Sequence, residues 1–114
     1  MNARAVREYA LIEGEVQGVG FRWFVRSCAL RFSLTGWVRN RCDGAVELEA
    51  QGEPAALEAF FELVREGPRF AEVRSLTRRR VGIESGYHFE IVFEWEILEK
   101  RRRQHAAMGR GRHI

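Results

Sequence analysis

The stretch Glu15-Val16-Gln17-Gly18-Val19-Gly20-Phe21-Arg22 combines residue types that suit an anion. Gly18 and Gly20 permit backbone conformations closed to other residues and a close approach to a ligand. The stretch lies between a strand pattern and the start of a helix pattern. A helix start leaves several N–H groups unpaired, and the helix dipole puts partial positive charge there. Such a loop can form a concave ring of N–H donors, a natural phosphate site built from Val16, Gln17, Gly18, Val19, Gly20 and Phe21. Arg22 adds a guanidinium whose fork can hold two phosphate oxygens. A cation in a first helical turn opposes the dipole. Helix stability therefore gives no reason for Arg22 to be there. The same residues also fit an ordinary turn followed by a solvated arginine. Nucleotide loops do not fit. Gly18 and Gly20 match two positions of a dinucleotide fingerprint, but Trp23 stands at the third, and no Gly-Lys-Ser/Thr occurs.

A second group is Gly36-Trp37-Val38-Arg39-Asn40. Side chains alternate along a strand, so Gly36, Val38 and Asn40 share one face while Trp37 and Arg39 take the other. If Val38 points toward the helices, Asn40 does too, at the end of its strand and near a helix start. An amide there can donate to a water and accept from it. Asn40 also fits a plain role in shaping the hairpin before Asp43-Gly44. Other chemistries are poorly served. His88, His105 and His113 lack ligand-like spacing, so no metal is expected. The acids are nearly all Glu at alternating or helical surface positions, a solvated-face pattern. Cys28 falls on an apolar helix stripe and reads as core.

These groups need elements to position them. Residues 6–14 read as a strand ended by Gly14. Phe21, Phe24, Val25, Cys28 and Phe32 recur at helical spacing, with Gly36 closing the unit. A strand over 36–41 leads to the hairpin dipeptide Asp43-Gly44. Val46, Leu48 and Ala50 then alternate with Glu47 and Glu49. Pro54 suits a helix first turn, Leu57, Phe60, Phe61 and Val64 form its stripe, and Gly67-Pro68 stops it. A less regular strand covers 73–81, and Phe89, Ile91 and Phe93 mark a last one. The order β-α-β-β-α-β, with the last strand region split in two, predicts an α+β, ferredoxin-like sandwich: an antiparallel sheet with two helices packed on one face.

Length and charge bound the rest. At 114 residues, with 46% hydrophobic and 31% charged residues, the chain is one globular domain rather than a disordered one. No apolar run is long enough to span a membrane, and the first residues lack the apolar core of a signal peptide. Two cysteines make no disulfide framework, which points to a cytoplasmic protein. The net charge is +3, but residues 100–114 hold six Lys and Arg and no acid, which leaves the body at −3. The expected division is a domain over 1–98 and a basic, flexible tail over 99–114. The body lacks the positive excess usual in nucleic-acid binders.

On these residues the sequence resembles the acylphosphatases. The likeness spans residues 6 to about 95. It rests on Gly14–Arg22 (GEVQGVGFR), on Gly36–Asn40 (GWVRN) with Asp43-Gly44-Ala45-Val46 after it, and on Gly52 and Gly67-Pro68. Glu15 departs from it, standing where a basic or neutral residue is common. The resemblance implies metal-independent hydrolysis of the carboxyl–phosphate bond of acyl phosphates, giving carboxylate and phosphate. It implies that the loop backbone and Arg22 bind the phosphate and that Asn40 orients the attacking water. It implies no cofactor and no covalent phosphoenzyme. A similar domain occurs inside larger carbamoyl-transfer maturation proteins, which this chain is too short to match. A small-molecule substrate and a monomer are expected, with no membrane or nucleic-acid partner. Two alternatives stand beside this: a single-stranded RNA-binding module using Trp37, Trp95 and the basic tail, and a phosphate-binding module without turnover.

Overall fold

Two helical stripes and five runs of alternating or apolar residues become seven elements. They are β1 (Val6–Glu15), α1 (Phe21–Arg31), β2 (Thr35–Asn40), β3 (Val46–Gly52), α2 (Pro54–Glu66), β4 (Glu72–Val81) and β5 (Phe89–Val92). The computed structural model describes residues 4–93. Trp95, the expected tail 99–114 and the boundary at 98 lie outside the described residues.

The stripes act as the spacing requires. Phe21, Val25, Cys28 and Ala29 are the buried residues of α1, and Leu57, Phe60, Phe61 and Val64 those of α2. They pack on Ala10, Ile12, Val38, Val46, Leu48 and Ala50 from the covered face of the sheet. Removing this apolar surface from water is the main favourable term holding the two layers together. Pro54 opens α2 and Gly67 caps it, as expected. The end of α1 differs from the expectation. The helix stops at Arg31, well short of Gly36, which lies in β2 as the expected strand over 36–41 requires. The stop is a backbone turn in which Ser33, at φ 56°, takes the left-handed conformation that glycine usually supplies. The N–H of Leu34 then donates to the Ala29 carbonyl at 2.9 Å, and Leu34 turns into the core.

The sheet order is β4-β1-β3-β2-β5. β1 pairs antiparallel with β3 and β4, and β3 pairs antiparallel with β2. The expected antiparallel sheet therefore holds for four strands. β5 makes the sheet mixed, because it runs parallel to β2. The chain leaves β4 at one edge, crosses the end of the sheet, and adds β5 at the other edge. The Gln51 carboxamide clasps this crossing. Its Nε2 donates to the Glu84 carbonyl at 3.0 Å, and its Oε1 accepts from the Glu84 N–H at 2.9 Å.

This topology positions the candidate residues. β1 and β2 flank β3 and both oppose it, so they run in the same direction. The end of β2, at Asn40, therefore lies on the same side of the sheet as the end of β1, where the loop leads into α1.

The open face of the sheet is not the bare solvated surface that its glutamates predict. Glu47 is only 5% exposed. It accepts from the Tyr9 hydroxyl at 2.6 Å and is paired with Arg39. Arg7, itself buried, donates from Nε to Glu49 at 2.6 Å. Long side chains from neighbouring strands lie across one another and cover these carboxylates. Glu8, on the helix-covered side, is likewise buried and accepts from Arg78 at 2.8 Å.

Candidate functional site

The loop between β1 and α1 is anchored at both ends by buried apolar side chains, Val16 and Phe21. Between them Gly18 and Gly20 sit at φ 75° and 76°, in the left-handed region that L side chains rarely adopt. Open space surrounds both Cα atoms, so backbone conformation rather than crowding requires glycine here. Gly20 is the residue before the helix, and no side chain caps α1. The Phe24 N–H donates to the Gly20 carbonyl at 3.1 Å as the helix begins. The N–H groups before it have no partner within the helix. No acid lies in the first turn either.

Arg22 and Asn40 meet at this helix start. A cavity of about 200 Å³ is lined by Val16, Gly18, Gly20, Phe21, Arg22, Trp23 and Asn40. Val38 is fully buried against the helices, and Asn40, two residues on, projects from the same face, as alternation predicts. Among the described residues, no carboxylate pairs with Arg22. Its guanidinium lies 5.0 Å from the centroid of the Phe93 ring, a cation–π contact.

The expected loop residues divide by role. Val16, Gly18, Gly20, Phe21 and Arg22 line the cavity. Val19 packs, partly buried, against the core. The Gln17 side chain does not line the hollow. Its Nε2 donates to the carbonyls of Arg41 at 2.8 Å and Ala45 at 2.9 Å. Gln17 thus ties the loop to the β2–β3 hairpin that carries Asn40. The hairpin is braced in turn by Asp43, whose Oδ1 accepts from the Ala45 N–H at 3.1 Å and whose carboxylate pairs with Arg41 at 3.0 Å. The hydrogen bonds from Arg41 and Ala45 hold the Asp43 carboxyl below its ordinary range.

Spacing does not mark Trp23 as a site residue, yet it lines the cavity and is 57% exposed. The sequence does carry a signal for it. Trp23 lies off the Phe21–Val25–Cys28 stripe, so the helix must present a large aromatic to solvent beside the loop.

Chemically, the hollow offers backbone N–H donors at a helix start, one guanidinium and one neutral carboxamide. The first two can neutralise a small tetrahedral oxyanion, and the third can hold a water beside it.

The chain is similar to known proteins over most of its described residues. The acylphosphatase family model matches residues 8–91. The chain is 51% identical over 67 residues to an acylphosphatase of Geobacillus thermodenitrificans, covering 59% of this chain and 71% of that protein. It is 56% identical over 70 residues to an acylphosphatase of Salinibacter ruber, covering 61% and 74%. The crystal structure of the Bacillus subtilis acylphosphatase superposes with a TM-score of 0.75 at 40% identity, covering 76% of this chain and 98% of that one.

Proposed function

The chain belongs to the acylphosphatase family, hydrolases acting on acyl phosphates, and on that premise we propose how its hollow performs the reaction. The N–H groups around Gly18 and Gly20, together with the Arg22 guanidinium, bind the phosphoryl group. The Asn40 carboxamide holds a water in line with the bond to be broken. The water oxygen attacks phosphorus, the bond from phosphorus to the acyl oxygen breaks, and its electron pair leaves on the carboxylate. The water's protons pass to the new phosphate and to solvent. A carboxylate is a good leaving group, so a strong protein base is not required. Phosphoryl transfer is served mainly by positioning and by stabilising developing charge. Asn40 supplies the first, and Arg22 with the loop supplies the second. No metal and no organic cofactor enters this scheme.

One observation carries the reading: Arg22, Asn40 and both left-handed glycines line a single cavity. It is tested by following the decay of benzoyl phosphate with a chelator present. The native chain is expected to accelerate decay, and Arg22→Ala is expected to lose phosphate binding and turnover together. Native activity that disappears with chelator, or survives in full in Arg22→Ala, contradicts the scheme.

The finer assignments follow the same line. The protein acts on a small-molecule acyl phosphate as a monomer in the cytoplasm, and nucleic acid is not its ligand. The free thiols of Cys28 and Cys42 and the net negative charge of residues 1–99 support this. Among the described residues no helix is long and apolar enough to cross a membrane.

A further inference from the structure

Beside the phosphate hollow lies a second, wider cavity of about 580 Å³ between α1 and the β5 edge. Its walls are Trp23, Arg26, Phe89, Ile91 and Phe93, with the polar residues His88 and Glu90 beside them. Two residues join it to the hollow. Trp23 lines both cavities, and Phe93, in the wall of the second, carries the Arg22 guanidinium over its ring. A phosphoryl group held at Arg22 therefore has, among the described residues, a neighbouring recess into which the rest of its molecule can extend.

We propose that this groove is the acyl subsite and that Trp23 selects acyl phosphates with a flat aromatic or bulky apolar acyl group. The proposal rests on the phosphate site described above. Trp23 is a large aromatic left more than half exposed at the mouth of the hollow. A planar acyl group stacked on its indole, with Ile91 and Phe93 beyond, covers apolar surface on both partners. Arg26, one helical turn after Arg22, is tied by a hydrogen bond from Nε to the Phe89 carbonyl at 3.2 Å. That bond fixes the groove wall against β5. An acetyl group has less apolar surface to lay on the indole and gains less from it.

The test compares benzoyl phosphate with acetyl phosphate by their ratio of kcat/KM. The native chain is expected to prefer benzoyl phosphate by about tenfold, the scale of one aromatic contact. Trp23→Ala should remove most of that preference, and Trp23→Phe should retain much of it. A ratio cancels any general damage to the phosphate site. Competition by benzoylphosphonate and acetylphosphonate, which cannot be hydrolysed, should show the same preference in binding alone. If the native chain turns over neither phosphate, the hydrolytic scheme fails, while the phosphonates still decide the groove. A native chain with no preference, as a groove filled by the chain's own later residues or by a partner would give, overturns the proposal. An unchanged ratio in Trp23→Ala overturns it equally.

Discussion

Arginines occupy two opposite settings in this molecule. Across the sheet they are matched with carboxylates: Arg7 with Glu49, Arg39 with Glu47, Arg78 with Glu8 and Glu58. Arg78 also lies 4.2 Å over the Phe61 ring. In the hollow, Arg22 has only an aromatic face beneath it among the described residues, and it stands where the helix dipole repels it. Paired arginines stabilise the fold they sit in. Arg22 has no such carboxylate partner among the described residues, as an anion site requires. The two regions should therefore respond oppositely when a charge is removed.

Arg22→Ala should show the contrast most strongly. Turnover of benzoyl phosphate is expected to fall by about 10²–10³, the usual effect of removing one preorganised charge-stabilising donor. The melting temperature should hold or rise slightly, because a like charge at the helix start is relieved. Steady-state kinetics and a thermal melt on the same sample check both halves. A large loss of stability would place Arg22 among the structural arginines instead.

Glu47→Gln should do the reverse. Burial raises the Glu47 pKa, but hydrogen bonds from Tyr9 and Arg39 outweigh it and hold the carboxyl below its ordinary range. A lowered carboxylate pKa stabilises the fold above the ordinary value, and that contribution is lost as pH falls through the folded value. The variant is expected to lose about 1–3 kcal/mol at neutral pH, with turnover per folded molecule unchanged. The gap between the two proteins should shrink below about pH 4. Urea titrations at a series of pH values read it, and a gap that does not vary with pH would remove the ionised pair from the account.

The smallest effect is expected for Gly18→Ala. Its Cβ meets nothing, so only the left-handed backbone resists it, at about 1 kcal/mol. Phosphate affinity should fall along with stability if the loop N–H groups converge on the anion. Phosphate titration by calorimetry, with a melt alongside, separates the two.

Local patterns made much of this legible. Alternation alone put Asn40 on the face of Val38, and the Gly18–Gly20 spacing marked the loop where the left-handed residues lie. What the sequence hid depends on distant partners. Gln17 reads as one more loop residue until Arg41 and Ala45, 24 and 28 positions away, supply its acceptors. Glu47 reads as solvated because its alternation is right, yet Tyr9 and Arg39 close over it from the adjacent strands. The parallel placement of β5 follows from where the crossing lands, which no local pattern encodes. Ser33 hid the end of α1 because it adopts a conformation that glycine normally announces.

The central claim is that one hollow holds the phosphoryl group through Arg22 and the loop while Asn40 holds the water. Asn40→Ala divides these roles. The account expects kcat for benzoyl phosphate to drop by about 10² or more, while inhibition by inorganic phosphate stays within about twofold of the native value. Near-native turnover in Asn40→Ala, or loss of phosphate binding in step with turnover, would contradict it.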